Sequence, residues 1–465
     1  MRRLISPILP EPPYVVPAGA EVYDQMMQQR TENRAEPASG ASAGSTLKID
    51  QERLRNTFDA LAAIGREDDG SIHRPAFTDN DMEARRWLVE EAKGRGLEAK
   101  IDGAGNVVVR SPQTPPDAPV VMIGSHTDSV PHGGAFDGAM GVMIALEILT
   151  VVHEAGLADK HPTEAIAFSD EEGRFGGMLG SRAVAGLLTP ADIAQSTDLE
   201  GVPLKEAMKA QGLDAEQALR VARRRDSVRA YLEVHPEQGP VLDTEGAPIG
   251  VVTEIAGLFK WAVTLKGRAD HAGSAPMHLR ADAFGGLAEF AGEIPRLLEE
   301  HGTEAAVATI GRASLRPGAA NSVPAVAEFS LDVRDADSGT LKELGAAMRR
   351  ALSAIARRRG LMFEFDIIEE IEPRPCSEEM IEAIERSIKK RGIEPRRMPS
   401  GAAHDAQMIA SIAPIGMIFT PSVGGRSHSA AEWTQWEDVE LAADVAFDAA
   451  LELSSTNAPK TTEEA

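Results

Sequence analysis

Residues 120–152 read VVMIGSHTDSVPHGGAFDGAMGVMIALEILTVV, and this stretch decides how the rest of the chain is read. Val120 to Gly124 is a short apolar run of the kind shown by a strand buried on both faces. Val142 to Val152 is apolar all round and long enough for a buried helix. Between them lies a glycine-rich loop that holds His126, Asp128, His132 and Asp137. In open α/β sheets, ligands bind beyond the carboxyl ends of strands. A strand that runs straight into histidines and carboxylates is therefore predicted to deliver them to a working site.

The same grammar recurs outward in both directions. Ala165 to Phe168 reads as a strand entering SDEEGRFGG (169–177), and Tyr231 to Val234 as one entering EVHPEQGP (233–240). Ile415 to Phe419 reads as a buried strand upstream of GGRSHSAAEW (424–433). Asn80 to Gly96 is predicted as a capped helix, and Leu97 to Arg110 as two strands around a Gly-Ala-Gly-Asn turn. Ser377 to Arg391 and Asp438 to Leu453 are predicted helices. Strands alternating with helices give an α/β fold, a mixed sheet covered by helices.

From about Leu258 the texture changes. The predicted order is strand Trp261–Lys266, helix Ala281–Glu300, strands Ala305–Ala313 and Ala325–Arg334, helix Gly339–Arg359 and strand Met362–Ile368. That βαββαβ order is a ferredoxin-like unit. Because the earlier pattern returns after Cys376, the unit is expected to be an insertion at 258–370, dividing a catalytic domain into 47–257 and 371–455. Residues 1–46, rich in proline and ending in small residues, are expected to be a disordered extension and linker, and 456–465 a flexible tail.

Composition removes several classes of function. The 465 residues carry 48 Lys and Arg against 72 Asp and Glu, a net charge of −24, and such a surface repels nucleic-acid backbones and anionic lipid. No apolar run approaches the roughly 20 residues of a membrane span. The start, MRRLISPILPEPPYVVP, is broken by prolines before a signal-peptide core forms. The one cysteine, Cys376, forms no internal disulfide and suits a reducing compartment, so a cytoplasmic location is expected. The basic run Arg220 to Arg225 reads as a solvated helix face.

Imidazole and carboxylate donors suit zinc, and also manganese, cobalt or nickel, whereas a single cysteine excludes a thiolate site. Any one cluster is weak, since a His-X-Asp pair is more often a cap and adjacent glutamates more often a solvated helix face. Several independent clusters, each following a strand and flanked by glycines, favour a metal site together. Two divalent ions sharing a carboxylate need about five protein ligands, and the sequence supplies His126, Asp137, Glu172, His235 and His428, with Asp137 as the natural bridge. Glu171, beside a ligand, is placed to act as a base, and Asp128 to hold the His126 ring through its other nitrogen.

Seven motifs then carry a resemblance: HTDSVPHGGAFDG, SDEEGRFGGMLGSRA, EVHPEQGPVLD, GRADHAGSAPM, PGAANSVPAVAEFSLDVR, SGAAHDAQMIA and SVGGRSHSAAEW. In this order, from about Ile49 to Leu453, the chain resembles the hydantoinase/carbamoylase family of amidases, a branch of the aminoacylase-like metallopeptidases. The resemblance implies one metal on His126, Asp137 and His235, a second on Asp137, Glu172 and His428, and Glu171 as the base. It further implies a homodimer formed through the inserted domain, with His271 reaching an active site to stabilise an oxyanion. Gln238, Asn321 and Arg334 are implied to hold the substrate. The implied reaction is hydrolysis of an N-carbamoyl-L-amino acid, with allantoate, ureidoglycolate or a peptide as alternative substrates. His235 leans towards carbamoyl and ureido hydrolysis. Pro236 departs from the aliphatic residue usual beside it, and His404 with Asp405 matches a motif near the site or forms a buried helix start.

Overall fold

A computed structural model of the protein describes residues 47–455; the expectations for 1–46 and 456–465 lie outside the described residues. Two sheets organise the described chain. The larger has nine strands: β1 (Glu98–Ile101), β2 (Val107–Arg110), β3 (Val120–His126), β4 (Thr163–Phe168), β5 (Val228–Pro236) and β6 (Gly250–Ile255). The second, of five strands, is formed by β7 (Gly257–Lys266), β8 (Val307–Thr309), β9 (Ala313–Arg316), β10 (Val326–Asp335) and β11 (Met362–Ile371). The chain then returns to the first sheet with β12 (Arg374–Pro375), β13 (Arg396–Ser400) and β14 (Ile415–Thr420).

The larger sheet runs β1-β2-β4-β3-β5-β14-β6-β12, with β13 also paired to β6. Its centre, β4, β3, β5 and β14, is parallel throughout, and nearly every residue of those strands is buried. A parallel sheet is buried on both faces, so its strands read as continuous apolar runs rather than alternating ones. Four parallel strands also send their carboxyl ends to one edge. The loops that follow His126, Phe168, Pro236 and Thr420 therefore all leave from the same side.

The helix Ala139–Glu154 packs against this sheet with all but its last two residues buried. Glu147 is its charged exception, and Arg53 at 2.7 Å and Arg95 at 3.3 Å neutralise it from two neighbouring segments. The predicted helix Asn80–Gly96 runs from Asp79 to Gly94, and its N-cap Thr78 accepts from the Asp81 backbone N–H.

The smaller sheet comes from one continuous stretch in the order β11-β7-β10-β8, with β9 also on β10. All its pairings are antiparallel. Helices Ala283–His301 and Ser338–Arg359, capped by Asp282 and Asp337, cover it, and Trp261, Val263, Phe290, Phe329, Leu344 and Met348 form a core of their own. Alternation along β7 and β10 sends every second residue to that core. No described helix is long and apolar enough to cross a membrane.

Three sequence expectations need correction. The strand expected over Ala305–Ala313 is two short strands, β8 and β9. Around Arg312 the chain leaves the ladder and bonds Ser330 through both its backbone and side chain. Arg220 to Arg225 is not a helix face: a 3-10 turn ends at Arg220, and Arg223 reaches in to buried Glu164 at 2.9 Å. The run from Gly250 to Lys266, read only in its second half, is two strands in different sheets with a corner at Ala256.

Candidate metal centre

The shared edge brings the five expected ligands together. Oδ1 of Asp137 lies 3.1 Å from His235 Nε2 and 3.6 Å from His126 Nε2, and Oδ2 lies 3.2 Å from His428 Nε2. His428 Nε2 is also 3.5 Å from Glu172 Oε2. The ligand atoms of His126, Asp137 and His235, and those of Asp137, Glu172 and His428, each lie within 4.8 Å of one another. One carboxylate thus faces two groups with its two oxygens. Imidazole with carboxylate and no thiolate is a donor set that fits zinc, manganese, cobalt or nickel. Glu171 belongs to neither group, yet its Oε2 is 3.6 Å from His126 Nε2.

Glycine makes this convergence possible. Gly138, between Asp137 and the long helix, has φ of 61°, and a Cβ there would lie 2.4 Å from the His126 ring. The two imidazole rings are oriented from behind by main chain: Nδ1 of His126 meets the Asp128 carbonyl at 3.0 Å, and Nδ1 of His235 meets that of Pro236 at 2.9 Å. Asp128 therefore holds the His126 ring, but with its backbone rather than its carboxylate. That carboxylate instead accepts from the Glu172 N–H at 3.2 Å and faces Arg85.

Burial and hydrogen bonding pull the ionisable groups in different directions, and against burial the Asp137 hydrogen bonds raise His235 and His428. Burial holds His126 down to about 4, the neutral imidazole a metal requires. Burial also works against the charge on Asp137, but hydrogen bonds from His235 and His428 outweigh it and hold this carboxyl well below its ordinary range. Glu171 is pushed well above the usual range by burial, then by Asp405, Glu172 and Asp137. Glu172 is pushed up in the same way by burial and by Asp137, so what sets Glu171 apart is its place outside both ligand groups rather than its shift.

A cavity of about 420 Å³ opens on these groups, lined by Glu171, Glu172, His235, Gln238 and His428 from one side and Leu258, Lys260, Arg334 and Ile368 from the smaller sheet. The Gln238 amide donates to Asp137 Oδ2 at 2.8 Å. Arg334 donates to both carboxylate oxygens of Asp332, at 3.0 and 3.3 Å, and through Nη1 to the Gly401 carbonyl at 3.0 Å. His271 and Asn321 do not line this cavity. They sit beside each other on the smaller unit, where the Ala272 N–H donates to the Asn321 carbonyl at 2.9 Å and His271 is exposed. His404 is buried at the start of helix Asp405–Ile409, its ring 4.5 Å from that of His235 and its Nε2 2.8 Å from the Ser400 hydroxyl. His132, unassigned from sequence, forms an exposed group with Glu67 and Asp69 away from the ligands.

Several supporting residues escaped the sequence reading. Buried Asp170 accepts from the Phe175 N–H and ties back the loop carrying Glu171 and Glu172. Glu233, two residues before His235, accepts from Ser125 at 2.7 Å and from the Ala406 N–H at 3.1 Å. Arg85 donates to carbonyls at the end of β4. Glu432 accepts from the backbone N–H groups of Phe136 and Asp137. No spacing rule marks them, because an acid inside an apolar strand or an i,i+4 Asp-Arg pair on a helix looks the same in sequence whether or not it supports a site.

In sequence and fold the chain is similar to known hydrolases. Residues 122–452 match peptidase family M20/M25/M40. The chain is 40% identical over 409 residues to an N-carbamoyl-L-amino acid amidohydrolase of Geobacillus stearothermophilus, covering 87% of this chain and 99% of the relative. It is 34% identical to a ureidoglycolate hydrolase of Oryza sativa subsp. japonica, over 87% of this chain and 85% of that one. A crystal structure of a hydantoinase/carbamoylase family amidase from Burkholderia multivorans superposes with a TM-score of 0.79 at 33% identity, covering 88% of this chain and 98% of that one.

Proposed function

The chain belongs to peptidase family M20/M25/M40, in its hydantoinase/carbamoylase branch, and from that membership we propose a metal-dependent amidohydrolase acting on a carbamoyl or ureido C–N bond. The substrate is an N-carbamoyl-L-amino acid or a related ureido acid. The observation that carries this reading is Asp137, whose two oxygens face separate groups of donors while Glu171 stands at the same opening outside both. His126, Asp137 and His235 would hold one divalent ion, and Asp137, Glu172 and His428 a second, with zinc, manganese, cobalt or nickel suited to the donors.

Bound there, two such ions would polarise the substrate carbonyl and acidify the attacking water. Glu171 accepts the proton of that water and returns it to the departing nitrogen as the C–N bond breaks. A carbamoyl amino acid then yields amino acid, carbon dioxide and ammonia. Arg334, Gln238 and Asn321 hold the substrate carboxylate, for which a guanidinium offers a planar fork. Because His271 and Asn321 stand outside their own chain's cavity, the reading assigns them to the active site of the second subunit of a homodimer. The unit over 258–370 serves for dimerisation, the split 47–257 and 371–455 for catalysis, and the location is cytoplasmic.

The test is ammonia release by metal-reconstituted protein from N-carbamoyl-L-amino acids, β-ureidopropionate, allantoate and ureidoglycolate, with dipeptide cleavage followed separately. Release from a ureido compound, abolished by a chelator and restored by divalent metal, is expected. Cleavage of dipeptides alone would overturn the carbamoylase reading in favour of a peptidase.

A further inference from the structure

Glu432 lies four residues beyond His428 and belongs to neither ligand group, yet it is only 5% exposed. Its Oε1 accepts two backbone N–H groups, from Phe136 at 2.8 Å and from Asp137 at 3.0 Å. Its Oε2 lies 3.1 Å from the hydroxyl of Ser427, and that hydroxyl lies 3.3 Å from Oδ2 of Asp137. The carboxylate is pressed so closely against the Asp137 loop that a Cβ on Gly134 would come within 2.2 Å of it. One side chain therefore fixes the main chain of Asp137 directly, shares the single proton of the Ser427 hydroxyl with the Asp137 carboxylate, and joins that loop to the one carrying His428.

The two ligand groups do not depend on this clamp equally. His126 and His235 stand at the ends of β3 and β5, paired in the parallel ladder with Phe168 of β4 and Phe419 of β14, and they face Oδ1. Glu172 and His428 stand on loops, and His428 faces Oδ2, the oxygen that Ser427 also touches. Removing Glu432 leaves two buried N–H groups without an acceptor and loosens the Asp137 main chain and the His428 loop, while Oδ2 keeps the Gln238 amide and the Ser427 hydroxyl.

We propose that Glu432 is a positioning residue that holds the Asp137 carboxylate in its bridging orientation and so governs occupancy of the Asp137–Glu172–His428 site, not of the His126–Asp137–His235 site. The inference rests on the two-ion reading above and goes beyond it in assigning the sites unequal dependence on one buried carboxylate.

Titration of the metal-free full-length protein with Zn²⁺, in competition with a chromophoric chelator, tests it. Wild type is expected to take two equivalents. Glu432→Ala keeps one at wild-type affinity and binds the other about 10- to 100-fold more weakly, the range met when a group that orients a metal ligand is lost. Glu432→Gln, which keeps an acceptor for both N–H groups, falls between. Ser427→Ala weakens the same equivalent by less, and it carries the test if Glu432→Ala does not fold. Two wild-type affinities in the variants, or equal weakening of both equivalents, would overturn the proposal. Fewer than two equivalents in wild type would instead sink the two-ion reading, and the inference with it.

Discussion

Nη2 of Arg85 lies 3.6 Å from Oδ1 of Asp128, and neither side chain has any solvent exposure. The same guanidinium meets Asp81 at 2.8 Å and the Phe168 carbonyl at 3.2 Å. One cation inside the protein thus balances two carboxylates, one of which also holds the N–H of Glu172. Burial pushes both carboxyls above the usual range, and Arg85 is the foremost influence pulling each back. Replacing Arg85 with Met strands two buried acids and is expected to cost about 3–5 kcal/mol of unfolding free energy. The sign with pH follows. Without Arg85 both carboxyls are raised further in the folded state, so folding favours their protonated forms. The deficit is then smallest in acid and grows as pH rises through their folded-state values. Urea melts at several pH values check this; a deficit below 1 kcal/mol at pH 7, or one that shrinks as pH rises, would contradict it.

Adjacent glutamates are expected to fail in different ways. Glu172→Gln removes a charged donor from the second group and is expected to lower metal content. Glu171→Gln leaves both groups intact while removing the proton carrier, so kcat falls about 10²- to 10⁴-fold at unchanged metal content. Metal analysis beside the ammonia assay separates them, and a Glu171→Gln protein that loses metal in step with activity would recast Glu171 as a ligand.

Much of this site was legible in sequence because it is built where strands end. His126 and His235 terminate apolar runs, and a ligand at the end of a buried parallel strand leaves a local signature. Glu171, Glu172 and His428 follow in glycine-rich loops, a second local signal. What stayed hidden was held by contacts distant in sequence. Asp81 and Arg85 form an i,i+4 pair that on most helices is a surface feature, and only packing against β4 makes it buried. Glu432 sits inside a quoted motif, but its partner N–H groups are almost 300 positions away. The helix Gln51–Ala63 and strand β6 were missed although they carry local signals too, a regular buried stripe behind the Asp50 cap in one and an apolar run ending at Ala256-Gly257 in the other.

Arg334 is engaged through Nε and Nη2 by Asp332 and through Nη1 by the Gly401 carbonyl, so its fork is oriented before a substrate arrives. Lysine keeps the charge and loses the fork. Arg334→Lys is expected to raise KM about tenfold or more, corresponding to one hydrogen bond to a charged group at roughly 1.5 kcal/mol, with a smaller effect on kcat. The amide analogue of the substrate, which has no carboxylate, should show little difference between the two proteins. Equal losses on acid and amide would remove Arg334 from carboxylate recognition.

His271 and Asn321 lie together on the smaller unit and outside the cavity lined by their own chain. If they complete the partner's active site, each catalytic centre combines Glu171 from one subunit with His271 from the other. The consequence can be measured with two inactive proteins. Homodimers of Glu171→Gln and of His271→Ala each have two defective centres. In a mixed dimer the His271→Ala subunit supplies an intact Glu171, and the Glu171→Gln subunit lends it an intact His271, so one centre is whole while the other carries both defects. Mixing the two proteins under conditions of subunit exchange, or co-expressing them with different affinity tags, is therefore expected to restore activity that neither has alone. Were His271 to act within its own chain, every centre in the mixed dimer would keep one defect, and the purified heterodimer would stay as inactive as its parents.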